Sequence, residues 1–396
     1  MSAGRDNTEP ARRVLLVSHY FPPHVGGIEN VVEGEAIHLA KAGHEVTVLT
    51  TAVGARAGVL YTPEGYSVVR LRTWNGIERR TGIPFPVPAP WTLWTGAKLI
   101  RNTDVVHVHD IFYLTTWLAA LAARLRGRPL VLTQHVQLIA HPRRIVQAIQ
   151  RLVYATIGRI VVRSAARIAV INSGVGEFLQ TLGARADRIV LVPNGIDTDR
   201  FHPATAEDKP RLRRSLQLPE RGVLALFVGR FVPKKGYDKL LQATGDNYTL
   251  VLAGGPTPPG FADRAGLIFM GCRTQNQLAD LYRACDLFVL PSESEGFPLT
   301  VQEAMASGLP VITSDDPGYG IYRLDRDRVA FIRPTVPEIS SALQRLAVDD
   351  ALRQRMARYS SSIAAARFSW LEHVKSVEQM YDAAVSLSGK PRHEQG

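Results

Sequence analysis

Short apolar runs alternate with segments of helical periodicity along almost the whole chain. In the first half the runs are Val14–Ser18, Val46–Thr50, Val68–Leu71, Val105–Val108, Leu130–Thr133, Ile168–Ile171 and Ile189–Val192. In the second half they are Val223–Val228, Leu250–Ala253, Ile268–Met270, Leu287–Leu290, Val311–Thr313 and Ala330–Ile332. Short Val-, Ile- and Leu-rich runs set between helices predict parallel strands covered on both faces. The pattern starts again near residue 222, which predicts an α/β chain of two doubly wound, Rossmann-like domains rather than one large sheet. The polar, charged stretch Ala204 to Arg214 fits the crossing between them, so the domains are expected at 11–203 and 204–369. Residues 1–10 and 387–396 read as disordered ends, and Trp370 to Ser386 as a last helix. In such sheets ligands bind beyond the carboxyl ends of the strands. With two facing domains the expected site is the cleft between them.

Composition narrows the class. At 396 residues the chain is long enough for two domains, and its 45% apolar content is that of a soluble globular protein. No uninterrupted apolar run reaches the roughly 20 residues needed to span a bilayer. The first ten residues are polar with both charge signs, unlike a secretory signal or an amphipathic presequence. Only two cysteines occur, Cys272 and Cys285, in no metal-like spacing. They fit free thiols of a reducing cytosol, so a cytoplasmic protein is expected.

The net charge of +11 is uneven: residues 1–204 carry +9 of it, and Ile111 to Gly176 holds nine arginines with no acid. A basic surface draws acidic sugars, nucleic acid or an anionic membrane. No nucleic-acid module or aromatic–basic pattern is present, so nucleic acid is not expected. Pro142 to Arg167 reads as helix, with Ile145, Ile149, Leu152, Val153, Ile157 and Ile160 on one stripe and Arg144, Arg151 and Arg159 largely off it. Two readings fit this: a core-packed helix with a solvated basic face, or an interfacial helix on anionic lipid. The segment Arg79 to Arg101, with Pro84, Pro86, Pro88, Trp91 and Trp94, adds an aromatic loop suited to an acceptor or a membrane.

The densest chemistry follows the strand run Asp286 to Pro291. It reads Ser294-Glu295-Gly296-Phe297-Pro298-Leu299-Thr300-Val301-Gln302-Glu303, with seven residues between its glutamates. Gly296 and Pro298 predict a loop with outward N–H groups, and Thr300 to Ala306 a helix start. A helix N-terminus offers orphan N–H groups and partial positive charge to a phosphate. Glu303, further into the helix, can accept from a ribose diol, and Glu295 can meet a second sugar. A second loop, Val228-Gly229-Arg230-Phe231-Val232-Pro233-Lys234-Lys235-Gly236, ends a strand in glycine and carries two cations suited to a diphosphate, Arg230 as a fork and Lys235 as a point charge.

These motifs resemble the retaining glycosyltransferases of family 4, which have the GT-B fold, an E-x7-E signature and a G-R-x(n)-K-G pattern. The likeness runs from residue 13 to about 384. It implies a metal-independent hexosyltransferase with a nucleoside-diphosphate sugar as donor substrate and no cofactor. A hydroxyl of a glycan or lipid-linked acceptor would be the partner, in cell-surface glycan, glycolipid or polysaccharide synthesis. It also implies a C-terminal helix, about 370–386, crossing back to the first domain, and a cytoplasmic protein at the inner face of the membrane.

Residue by residue, the resemblance assigns leaving-group stabilisation to Arg230 and Lys235, with Glu295 and His135 at the transferred sugar. It assigns donor contacts to Gly26, Gly27, Asn194, Gly229, Gly271, Arg273, Gly296, Phe297, Pro298, Leu299 and Glu303, and the acceptor side to His109 and Asp110. His135 ends the strand run Leu130–Thr133, as His107-Val108-His109-Asp110 ends another, with both histidines on one face. No third ligand at a zinc-like spacing accompanies them. Gly26 and Gly27 precede a helix expected at Val31 to Ala40, and such a pair allows unusual backbone and close ligand approach. It is not G-x-G-x-x-G. Asp197 and Asp199 look like a metal-binding D-x-D, but Pro193-Asn194-Gly195 before them is a turn and the family match is to the interdomain crossing. Where the family has a glutamate after a glycine-rich loop, this chain has Ser314-Asp315-Asp316-Pro317-Gly318-Tyr319-Gly320. Two other functions fit the same residues: a nucleotide-sugar epimerase or hydrolase, and a non-catalytic membrane-associated binding protein.

Overall fold

The structure, a computed structural model, describes residues 11–24, 26–81, 85–137, 144–261, 264–293, 295 and 297–388. The expected disordered leader at 1–10, most of the tail and Gly296 lie outside these residues. The chain divides into two compact units, Met1–Gly195 with His373–Gly396, and Ile196–Glu372.

The first unit is built on an eight-stranded sheet in the order Ile189–Leu191, Arg167–Val170, Leu130–Gln134, Val105–His109, Arg13–Val17, Glu45–Thr51, Ser67–Leu71, Gly58–Tyr61. Every pairing is parallel except the last, where Gly58–Tyr61 runs antiparallel on the edge. Alternation sorts the side chains to two cores. Leu15, Val17, Val106, Val108, Leu130 and Leu132 meet the helix Leu114–Leu125 and Val161 and Val162. Val14, Leu16, Val46, Val48, Val105 and Val131 meet Val32, Ala36 and Leu39 of the helix Gly27–Lys41. Both faces are buried, as near-continuous apolar strands require. The C-terminal helix Trp370–Leu387 gives Val374, Val377, Met380, Tyr381 and Ala384 to the second of these cores. It is held there by an Arg12–Asp382 ion pair and by His44 Nε2, 3.0 Å from Glu378 Oε1.

The second unit has a six-stranded parallel sheet in the order Leu267–Gly271, Tyr248–Ala253, Val223–Val228, Leu287–Leu290, Val311–Ser314, Ala330–Ile332. Strand order reverses between Val223–Val228 and Leu287–Leu290. That switch point opens a crevice where the loops carrying Arg230, Lys235 and Glu295 leave the sheet.

Several boundaries differ from the sequence expectation. The units part at Gly195/Ile196 instead of 203/204, because Ile196 N–H donates to Phe368 O at 2.6 Å and bridges to Ser369. The expected crossing contains a helix, Asp208–Ser215. The first helix begins at Gly27, and the last extends through Leu387. The strand Gly58–Tyr61 escaped notice because it is exposed along its length and shows no buried alternation. The basic helix runs Arg144–Val153, then a π turn Tyr154–Gly158, then Arg159–Ser164; Arg167 already belongs to a strand.

Candidate functional site

In the second unit two loops at the switch point are fastened together. Pro233–Lys235 is a short 3-10 turn ended by Gly236 at φ +70. A Cβ on Gly236 would lie 2.0 Å from the carbonyl oxygen of Pro291, so only glycine permits both this backbone and this approach. Glu293 N–H donates to Lys234 O at 2.9 Å, and Lys239 Nζ reaches Glu293 Oε1 at 2.7 Å. The fastening puts Lys235 Nζ 2.8 Å from Glu295 Oε1, with both side chains mostly covered. Two residues that the sequence separates by sixty positions therefore form one ion pair. Arg230, next to Gly229, is exposed and has no ion pair among the described residues.

The helix Leu299–Ala306 starts at the edge of this pair. Its N-cap is Pro298, which has no side-chain acceptor; its carbonyl accepts from Val301 N–H at 3.0 Å and Gln302 N–H at 3.3 Å, and a helix start of this kind suits an anion. Phe297, expected to touch the donor, is buried against Tyr319, Tyr322 and Phe368, so its side chain anchors the loop from inside. Tyr319 comes from the atypical 314–320 segment, whose Asp316 Oδ1 accepts from Gly318 N–H at 2.7 Å.

Glu303 is buried one turn further in. Its Oε2 accepts from the Tyr282 hydroxyl at 2.9 Å. Burial pushes its carboxyl up to about 7, against the opposing pull of that hydrogen bond and of Arg200. Tyr282 was invisible to sequence reasoning, because nothing in its helix Gln275–Ala284 singles it out from the apolar positions around it.

Gly271 ends a neighbouring strand at φ +68, and Arg273 beyond it is half-buried, with no hydrogen-bond partner at Nε among the described residues. Phe231 lies near them, stacked on Tyr237 at 5.6 Å and edge-on to Phe269 at 5.9 Å. Asp197 accepts from Arg200 N–H at 3.1 Å and pairs with the Arg200 guanidinium at 3.4 Å, closing a turn as expected of a structural residue.

In the first unit the corresponding strand ends bring His135, His109 and Asp110 together. Asp110 Oδ1 accepts from His135 N–H at 3.0 Å, and His109 Nδ1 lies 3.1 Å from His135 Nε2. Burial raises the Asp110 carboxyl to about 7 and lowers His135 to about 4. Asp110 holds φ +59, a strained backbone for a non-glycine residue. His109 and Asp110, expected on the acceptor side, are buried, as is His135, and both contact it. Asn194 is buried as well.

The glycine pair behaves differently from its expectation. Gly26 is extended at φ −168 and Gly27 opens a helix, so neither uses left-handed backbone. A Cβ at Gly26 would lie 2.1 Å from the end of the Glu29 side chain, which would have to turn from its place 2.8 Å from His24 Nδ1.

No third ligand stands near His107 and His109 at a zinc-like sequence spacing, but the fold sets the Glu35 carboxylate of the first helix beside both. A sequence signal existed: Glu35 interrupts the apolar stripe of Val32, Ala36 and Leu39.

Known proteins resemble this chain over most of its length. Residues 208–362 match the model of the Glycosyl transferases group 1, and residues 25–200 that of Glycosyltransferase Family 4. A D-inositol 3-phosphate glycosyltransferase of Salinispora arenicola (strain CNS-205) is 30% identical, the match covering 96% of this chain and 93% of that protein. Among solved structures, a sucrose-phosphate synthase of Thermosynechococcus elongatus has a TM-score of 0.72 at 21% identity, covering 95% of this chain and all of that one. Anabaena HepE in complex with UDP and glucose has a TM-score of 0.71 at 19% identity, covering 96% and 100%.

Proposed function

We propose, from the premise that this chain belongs to the glycosyltransferases and has their GT-B fold of two Rossmann-like units, that it is a family 4 enzyme moving a hexosyl group from a nucleoside-diphosphate donor to an acceptor hydroxyl with retention. The observation that carries this reading is the Lys235–Glu295 pair at the uncapped start of the helix that holds Glu303. The helix N-terminus and Lys235 take the donor's phosphates, Arg230 swings onto them from solvent, and Glu303 accepts from the ribose diol. Glu295 orients Lys235 in the free protein and turns to a sugar hydroxyl when phosphate claims the lysine. As the bond from anomeric carbon to phosphate oxygen breaks, the two cations neutralise the departing diphosphate, and that phosphate accepts the proton of the attacking hydroxyl on the same face. The diphosphate is thus met by side chains instead of a divalent ion. Phe231 and Arg273 flank the nucleobase. By the family resemblance, His135, which burial keeps neutral at pH 7, meets a sugar hydroxyl.

HepE is named with UDP and glucose, so UDP is the first nucleotide to test. The acceptor, by the name of the inositol-phosphate relative and the acid-free arginine window, is an anionic glycan or lipid-linked molecule. The test is product formation from UDP-, GDP- and ADP-sugars with an acceptor panel. Lys235→Ala should lower kcat by roughly 100- to 1,000-fold, as removal of a single transition-state donor does. Donor turnover that needs no acceptor would instead mark a hydrolase or epimerase.

One surface favours work at a membrane, at the inner face in a cytoplasmic protein. The stretch 144–164 buries Val146, Tyr154, Val161 and Val162 but exposes Ile145, Ile149, Leu152 and Ile160, the first by 70%, among Arg144, Arg151, Arg159 and Arg163. Of the two readings of its stripe, the core-packed one fails at these four positions. The stretch is long and apolar enough to cross a bilayer, yet its inner side is committed to the core, so it lies on the surface. Exposed isoleucines between arginines suit anionic lipid. Ile149→Asp should abolish sedimentation with anionic vesicles and leave turnover of a soluble acceptor intact; equal sedimentation of both proteins contradicts the membrane role.

A further inference from the structure

We propose that Glu35, His107, His109 and His373 bind one divalent transition-metal ion, of the zinc type, inside the first unit. The carboxylate comes from the helix Gly27–Lys41, two imidazoles from the strand Val105–His109, and the third from the C-terminal helix. All four residues are buried. Each imidazole turns one nitrogen toward the same carboxylate. His107 Nδ1 is 2.8 Å from Glu35 Oε1, His373 Nε2 is 3.4 Å from Oε2, and His109 Nε2 is 3.9 Å from Oε2. Donor atoms of Glu35, His107 and His109 all lie within 4.8 Å of one another. Ligands of a tetrahedral ion at ~2.0–2.1 Å stand roughly 3.3 Å apart, a value that the three distances to the Glu35 oxygens bracket.

The outward nitrogens complete the pattern. His373 Nδ1 is 2.7 Å from Pro193 O, His107 Nε2 is 2.7 Å from Thr133 Oγ1, and His109 Nδ1 is 3.1 Å from His135 Nε2. Metal-binding histidines are held this way, by a second hydrogen bond that fixes the tautomer. A carbonyl only accepts, so His373 carries a proton on Nδ1 and turns Nε2 toward Glu35. Between that nitrogen and the carboxylate stands either a proton or a metal cation, and the proposal is the metal. His109 Nε2 is buried and has no hydrogen-bond partner among the described residues. Tyr381, whose hydroxyl is 2.8 Å from His107 Nδ1, also hydrogen-bonds the Glu35 carboxylate. The ion would pin the C-terminal helix to the sheet. All four proposed ligands belong to the first unit, and Arg230 and Lys235 to the second.

The experiment is elemental analysis of the untagged full chain, purified without chelator, with Glu35→Gln, His109→Ala and the control His202→Ala alongside. About one zinc per chain is expected in the parent and the control, and little in the two site variants. Cobalt(II) loaded into the stripped parent should give the intense visible bands of a four-coordinate site. That reading stands even if a variant fails to fold. Metal retained by both site variants, or a stripped parent that takes up neither zinc nor cobalt in a saturable way, overturns the proposal and leaves the cluster held by protons.

Discussion

Glu303 lends itself to a quantitative prediction. It is buried beside Tyr282, and burial raises its carboxyl from 4.5 to about 7. A group raised on folding stabilises the fold fully below its unfolded value and loses that contribution as pH rises through the folded value. For Glu303 the loss falls between about pH 4.5 and 7 and amounts to about 3 kcal/mol. Glu303→Gln keeps the shape and an acceptor for the Tyr282 hydroxyl but carries no charge. The variant should therefore match the parent near pH 4.5 and exceed it by about 3 kcal/mol at pH 8, or roughly 6–12 °C in the melting temperature of this unit. Urea unfolding of both proteins across pH 4.5–8, read by fluorescence, measures the difference. Parallel curves, with the gap independent of pH, would refute the reasoning: the carboxylate would then be solvated or already paired.

Three further outcomes are expected. Gly236→Ala forces a Cβ into the Pro291 carbonyl at positive φ, so it should cost at least about 1–3 kcal/mol in urea unfolding and weaken nucleotide binding by displacing Lys235. Phe297→Ala empties the aromatic cluster beside the helix start and should destabilise by about 3–5 kcal/mol by the same assay. Thiol titration should find one fast cysteine in the native protein, the exposed Cys272. Cys285 is buried, with burial raising its thiol to about 12, and should react only after unfolding.

Strands were legible in this sequence because parallel sheets buried on both faces leave continuous apolar runs, as at Leu224 to Val228. The edge strand Gly58–Tyr61 leaves no such trace, since its side chains face water. The second-unit loops were legible because Gly-Arg, Lys-Gly and the paired glutamates sit at strand ends. Their closing by Lys235 and Glu295 was not, since it depends on the fit of Gly236 against Pro291 across the sheet's switch point. In the first unit, strand alternation correctly put His107 and His109 on one face. The same alternation does not tell an outward face from one sealed by two helices, and here Glu35 and His373 seal it. The arginine helix was ambiguous for a related reason. Periodicity finds a stripe, and only packing decides which side of a helix has a neighbour.

Calorimetric titration of UDP, GDP and ADP into the parent and into Glu303→Gln tests the donor site most directly. The account predicts saturable binding of one nucleotide, weakened about 10-fold or more in the variant as a charge-assisted hydrogen bond to ribose is lost. No binding of any of the three at millimolar concentration, or equal binding by both proteins, would contradict it.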